Sequence, residues 1–225
     1  MTTTAITSDT LRLLEQSKLR KDLIKELEGL KNAGSKISKT QMTTILGQWF
    51  HPLHYFPTFL SRLVSVAPDI DMQTYISRIL WQELGKGDPK YAHEKIYLET
   101  VVYAGLDAEL VANASPFEDT QKLIAGYQAA SESYLPGLGF LYGTEVADLA
   151  MVSTIGNVMR ECTGKQDLFW IDIHVEQEPD HVQSSHHTLQ PSFSEEEQQQ
   201  ILHSAEQMWS LWIEFFKSIK AAIFV

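Results

Sequence analysis

The sequence holds a single cysteine, Cys162. One cysteine closes no disulfide within the chain, and it excludes a Cys-rich zinc or iron–sulfur site as well. A reducing compartment is therefore expected, with the cytoplasm as the location. Basic residues are also scarce, 18 Lys and Arg against 29 Asp and Glu, for a formal charge of −11. A nucleic-acid or anionic-membrane surface needs a basic patch, so neither partner is expected. No run of about 18 apolar residues is present to span a membrane. The opening stretch, Met1 to Asp9, has no basic region followed by an apolar one, so no secretory signal is expected there. What the chain does have is acid and apolar bulk. Its 225 residues are 44% hydrophobic, enough for a core that needs no covalent staple. Some of the excess carboxylates are candidates for metal ligation.

Nearly every segment carries helical periodicity. Leu11, Leu13, Leu14, Leu19, Leu23, Ile24, Leu27 and Leu30 form one stripe, expected to end near Gly34. A second helix is expected over 39–67, bent by Pro52 and Pro57. Helices are further expected over 72–84, closed by Gly85 and Gly87, and over 89–105, 116–134, 138–159 and 167–187. Of these, 138–159 is largely apolar and so expected at the centre. Ser194 and Glu197 form a capping box ahead of a last helix carrying Ile201, Met208, Trp209, Trp212, Phe215, Phe216 and Ile219. The polar stretch 184–194 reads as a connection. No strand alternation, repeat or low-complexity linker interrupts the pattern. The fold class is all-α, a single multi-helix bundle over residues 1–225, with a site built between facing helices.

Three groups of residues carry chemistry. His174, Glu178 and His181 sit at i, i+4 and i+7, one face of a helix. Two imidazoles and a carboxylate suit iron, manganese or zinc. A solvated acidic helix end is the alternative, although Phe169, Trp170, Ile171 and Ile173 lead into the motif as core residues do. Pro179 should kink the helix here. Glu83 closes one expected helix and His93 opens the next, so the intervening Gly-rich turn can bring both side chains to one point; a plain helix–turn–helix with polar ends is the alternative. Glu94 points to another side. Glu145 lies in the most apolar helix, where a carboxylate needs a partner. Asp148 is its rival one turn on, and a salt bridge to Arg78 or Arg160 is the alternative role. Together the groups supply three carboxylates and three imidazoles from four helices, the kind of set that di-iron carboxylate bundles use.

On the residues Glu83-Leu84-Gly85-Lys86-Gly87 with His93, the segment Tyr142 to Glu145, and His174, Glu178 and His181, the chain resembles the haem-oxygenase-like di-iron oxidases. That family includes a fatty-acid decarboxylase, a p-aminobenzoate synthase, N-oxygenases and amino-acid-fragmenting enzymes. The resemblance spans roughly residues 51–181. It implies a haem-oxygenase-like helical fold and a six-ligand centre of Glu83, His93, Glu145, His174, Glu178 and His181 holding two Fe ions, with dioxygen as co-substrate. It departs from the family pattern in two places. The family usually has Asp where this chain has Glu178, with Asp180 close by. Some members have a further carboxylate ahead of Glu83, whereas this chain reads Trp49-Phe50-His51-Pro52-Leu53-His54-Tyr55-Phe56-Pro57 there.

The resemblance implies a non-haem di-iron oxidase or oxygenase. Its expected partners are a small carboxylate substrate, an amino acid above all, and an external electron donor. N-oxygenation or oxidative carbon–carbon cleavage, including alkene or nitrile formation, is the expected outcome. The aromatic residues Trp49, Phe50, Tyr55, Phe56, Trp209 and Trp212 lean towards an aromatic or amino-acid substrate. The oligomeric state is left open, a homodimer included. His51 and His54 read as caps of the kinked helix, with substrate contact as the alternative; His186 and His187 read as solvent-facing. Two rivals remain. One is a metal-free thiaminase-type hydrolase of the same fold, which would need Cys162 in the cavity, although that residue is expected just past a helix end. The other is a non-enzymatic helical interaction protein.

Overall fold

The structure, a computed structural model, describes residues 9–32 and 36–224, apart from the side chain of Glu178. Its order is α1 (Asp9–Gln16), α2 (Lys18–Lys31), α3 (Lys39–Val66), α4 (Ile70–Glu83), a 3-10 turn (Pro89–Tyr91), α5 (His93–Tyr103), α6 (Ala108–Ala112), α7 (Glu118–Ala130), α8 (Tyr134–Thr163), α9 (Phe169–Thr188) and α10 (Glu195–Ile223). No strand occurs among the described residues. The expected helix 138–159 lies at the centre of the bundle as α8, touched by α2, α3, α7, α9 and α10. A helix that is apolar all round has no face to give to water and must be enclosed. The buried apolar side chains of all these helices form one cluster. Among the described residues no helix is long and apolar enough to cross a membrane.

Local chemistry sets the helix starts. Ser194 accepts from the Glu197 amide and the Glu197 carboxylate accepts from the Ser194 amide, at 3.3 and 2.8 Å, which completes the expected capping box. Ser38 and Gln41 cap α3 in the same way. The central contact, α8 against α10, depends on Gly139. A Cβ there would lie 2.4 Å from the Ile201 carbonyl oxygen and 2.9 Å from the Ala205 nitrogen. Both are backbone atoms, so the two helices must separate to admit a methyl group. Gly139→Ala is expected to destabilise the protein by about 2–3 kcal/mol despite the better helix propensity of alanine. That would appear as a fall of roughly 5–10 °C in thermal midpoint. An unchanged midpoint would show that the helices separate freely.

Several boundaries differ from the sequence pattern. The first stripe is broken at Ser17, which divides α1 from α2 and whose hydroxyl donates to Glu206 at 2.8 Å. Gly34, the expected terminator, lies outside the described residues. The prolines do not set boundaries: as expected, α3 runs through Pro52 and Pro57 and α9 through Pro179. Proline removes a single helical hydrogen bond, and flanking turns in a packed bundle hold the helix across it. The expected helix 89–105 divides into the 3-10 turn and α5, and α6 had no counterpart in the pattern. Ser184 and Ser185 are buried inside α9, so the polar break is only 189–194.

Candidate metal centre

The site grows from a turn. Glu83 ends α4, and the chain then passes through Gly85, Lys86 and Gly87 with φ of 84, 56 and 93°. Three left-handed residues in succession reverse the backbone, and glycine tolerates that conformation without penalty. At Gly85 a Cβ would also lie 2.3 Å from the Asp88 carbonyl oxygen and 2.5 Å from the Ala92 nitrogen. The turn closes tightly enough to bring Glu83 Oε2 within 3.0 Å of Nδ1 of His93, the first residue of α5.

Helix α9 supplies two imidazoles from one face. His174 and His181 are buried, whereas Val175, Glu176 and Asp180 are exposed. The helix start is pinned to α5 by the Trp170 amide donating to Thr100 Oγ1 at 3.1 Å. His174 Nδ1–H donates to the Trp170 carbonyl at 2.8 Å. A carbonyl can only accept, so this bond fixes the tautomer and leaves Nε2 as a lone pair aimed away from its own helix. Helix α8 adds Glu145, whose Oε2 lies 3.4 Å from His181 Nδ1.

The sequence pattern thus brings five of its six residues together. Glu83, His93 and His174 each offer one atom within 4.8 Å of the others. His181 joins them 3.9 Å from Glu83. For Glu178, the sixth, the side chain lies outside the described residues. The alternative roles do not appear: Arg78 pairs with Asp180 at 3.8 Å and Arg160 with Asp172 at 3.5 Å, leaving Glu145 to His181.

The cluster is enclosed and only partly satisfied. Glu83 is 8% exposed, His93 2% and Glu145 2%. Both ring nitrogens of His93, Nε2 of His181 and Oε1 of Glu145 find no hydrogen-bond partner within the described residues. His93 Nδ1 is near Glu83 but out of line for a hydrogen bond. Each buried polar atom left in this state costs about 1–3 kcal/mol. Burial would raise the Glu83 carboxyl, but His93 beside it, with His181 and His174, holds it down at about 2. Burial, then His93, push His174 down to about 3, so it is neutral at pH 7. Burial would also lower His181, but Glu145 foremost, with Glu83 and Asp148, holds it up at about 9. Ionised Glu83 and neutral His174 are already in the forms that ligate a cation, whereas His181, held protonated at pH 7, releases its proton to do so. Unpaired donors, mixed carboxylate and imidazole chemistry, and closure from water all fit iron.

Beside the cluster lies a cavity of about 40 Å³, room for roughly three water molecules. Glu83, Glu145, His174 and His181 face it, opposite Trp49, Phe56 and Trp212. Asp148, read from sequence as a rival to Glu145, lines the same cavity alongside it. Tyr127 and Thr144 were not anticipated. Thr144 donates to the Phe140 carbonyl, so the Tyr127 hydroxyl donates to Thr144, both at 2.9 Å. In the sequence Trp170 reads only as core, although its position four residues before His174 is the spacing of a histidine's orienting carbonyl.

Other histidines lie elsewhere. His51 Nε2–H donates to the Ala114 carbonyl at 2.9 Å, and His54 pairs with Glu94 at 2.7 Å; neither lines the cavity. His186 and His187 are half-buried, stacked on Tyr142 and Tyr75, not solvent-facing. Cys162 lies inside α8, not past its end. It does not line the cavity, and burial pushes its thiol up.

Known structures share this architecture. A CADD-like protein of unknown function from Nostoc punctiforme PCC 73102 superposes with a TM-score of 0.82 at 13% identity, over 96% of this chain and 99% of that one. A protein from Shewanella denitrificans OS217 described as having a heme oxygenase-like fold gives 0.70 at 15%, over 95% and 88%. A TenA homolog from Pseudomonas syringae pv. tomato gives 0.64 at 12%, over 96% and 98%. At these identities the likeness establishes the heme oxygenase-like fold and nothing finer. No curated protein matches the chain. The family model described as iron-containing redox enzyme matches residues 43–213, a span that includes every residue of the cluster. The chain therefore belongs to the iron-containing redox enzyme family with a heme oxygenase-like fold.

Proposed function

We propose that the protein is a non-haem di-iron oxidase or oxygenase acting on a small carboxylate substrate, an amino acid above all. The observation that carries this is the convergence of Glu83, His93, Glu145, His174 and His181, from four helices, with four of their buried polar atoms unpartnered. Those five side chains, with Glu178, would hold two irons. Bound iron would supply the capture and reduction of dioxygen, using electrons from an external donor.

The chain's own residues do the rest. The Trp170 carbonyl keeps His174 in the tautomer that presents Nε2. Trp49, Phe56 and Trp212 exclude water from the facing wall, which strengthens every electrostatic interaction inside. Burial raises the Tyr127 hydroxyl far above its usual range, so it stays a proton donor at Thr144. The cavity's small volume admits a compact reactant and not a long rigid one. The hydrolase alternative requires a cysteine in this cavity, and the chain's only one lies elsewhere.

The test is oxygen consumption by anaerobically iron-loaded protein challenged with a panel of amino and fatty acids. At least one acid should accelerate consumption by tenfold or more, about 1.4 kcal/mol of barrier, with an oxidised product detectable by mass. No acceleration with any acid, in protein shown to hold iron, would remove the substrate class. Hydrolysis of thiamin-like compounds by the iron-free protein would move the chain to the rival reading.

A further inference from the structure

A second cavity, of about 330 Å³, opens between α1–α2, α8 and α9. Its lining includes Glu145, which also faces the candidate metal cavity. Glu145 therefore borders both spaces. Two polar groups of the lining are left unused by the fold, one half-buried and one closed off from solvent. Arg20 is half-buried and makes no ion pair or side-chain hydrogen bond among the described residues. The Tyr142 hydroxyl belongs to a side chain 1% exposed, and it too has no hydrogen-bond partner among the described residues.

An unpaired, half-buried guanidinium and a buried hydroxyl without a partner beside one groove are a matched set for an anion. Burial pushes the Tyr142 hydroxyl up to about 12, so it remains a donor, and Arg20 is near enough to pull the other way. The His186 ring stacks on Tyr142 with 5.7 Å between centroids, which fixes the phenol's plane. Burial lowers His186, so it adds no competing charge at neutral pH. Leu149 and Val182 supply an apolar wall. Glu15 stands exposed at the rim, unpaired with Arg20.

We infer that this cavity binds the carboxylate of a small apolar acid, with Arg20 and the Tyr142 hydroxyl as donors and Leu149 and Val182 against the tail. This rests on the proposed substrate class, and it locates that substrate across Glu145 from the candidate metal centre. Planar guanidinium donors match a carboxylate's two oxygens, which lysine would not do as well. Glu15 is placed to receive an ammonium group, so an α-amino acid and a simple fatty acid share the anchor and differ at the rim.

Calorimetric titration of iron-free protein tests this with three probes of one shape: L-leucine, 4-methylpentanoate and 3-methylbutylamine. At least one of the two acids should bind, and the amine, lacking the carboxylate, should not. Arg20→Gln should weaken acid binding by about tenfold or more, as expected when a charge-assisted hydrogen bond is lost. Tyr142→Phe should weaken it about threefold or more. Leucine binding tighter than 4-methylpentanoate, with the difference abolished in Glu15→Gln, would mark an amino-acid site; the reverse order would mark a fatty-acid site. Equal acid affinity in wild type and Arg20→Gln would overturn the inference, as would binding of the amine alone or of no probe. Should Arg20→Gln fail to fold by circular dichroism, the probe comparison on wild type and Tyr142→Phe decides. Ferrous uptake, measured in parallel, should be unchanged in Arg20→Gln. Acid binding without iron uptake by wild type would remove the metal reading and leave this site standing; iron uptake without acid binding would do the opposite.

Discussion

Anaerobic ferrous loading should leave about two irons per chain in the wild-type protein, and a His93→Ala/His174→Ala double variant should retain essentially none. His93 and His174 stand with Glu83 in the group whose donor atoms lie within 4.8 Å of one another. Their rings are 4.7 Å apart between centroids, so removing both empties the middle of the cluster. The same loading should stabilise the wild type, because a ligand that binds only the folded form shifts the folding equilibrium. At a free iron concentration 100 times the dissociation constant the gain is about 2.7 kcal/mol, or roughly 5–10 °C in thermal midpoint for a chain of this size. The double variant should show no iron-dependent shift. Its midpoint without iron should not fall steeply, since neither His93 nitrogen has a partner to lose and His174 gives up one hydrogen bond, to the Trp170 carbonyl. Wild type without specific uptake, or equal uptake by the variant, would show that the cluster is a satisfied polar core and not a metal centre.

The parts of this site legible in sequence are those set by local geometry. The shared face of His174 and His181 follows from seven residues of helix. The meeting of Glu83 and His93 follows from a turn rich in glycine. Glu145 was legible because a carboxylate inside an apolar helix needs a partner, although Asp148 one turn on was its rival. The parts not legible depend on which helices neighbour one another. That Glu145 pairs with His181, and not with Arg78 or Arg160, is decided by the packing of α8 on α9. The convergence of Tyr127 and Thr144 on the same cavity is decided by α7 against α8. Arg20 carried no signal at all, because nothing in a leucine-striped helix says that its one unpaired guanidinium will face α8. The same limit applies to the fold. The capping box at Ser194 was visible, whereas the break at Ser17 depends on a hydrogen bond to Glu206, 189 residues away.

The last of the six expected ligands gives the sharpest single-residue test. Glu178→Ala should weaken iron binding by about 100-fold or more, Asp180→Ala should leave it intact, and Glu178→Asp should stay within about tenfold of wild type. Removing only an outer partner of a metal ligand typically costs 10–100-fold in affinity, so loss of a ligand should exceed that. The ranking rests on helix register. Position 178 is four residues after His174 and three before His181, and α9 stays helical across all three, so 178 shares the face that carries both imidazoles. Asp180 is exposed and points towards Arg78, 3.8 Å away. That ion pair is solvent-accessible and worth less than about 1 kcal/mol, so its loss should leave both fold and site unharmed. The shorter Asp is the residue that the resembled family usually has at 178, and it keeps the charge and both oxygens at the cost of one methylene of reach. Iron retained in Glu178→Ala but lost in Asp180→Ala would mean that Pro179 rotates the register of α9 between His174 and His181. The ligand would then be Asp180, and the pairing with Arg78 would have to break for iron to bind.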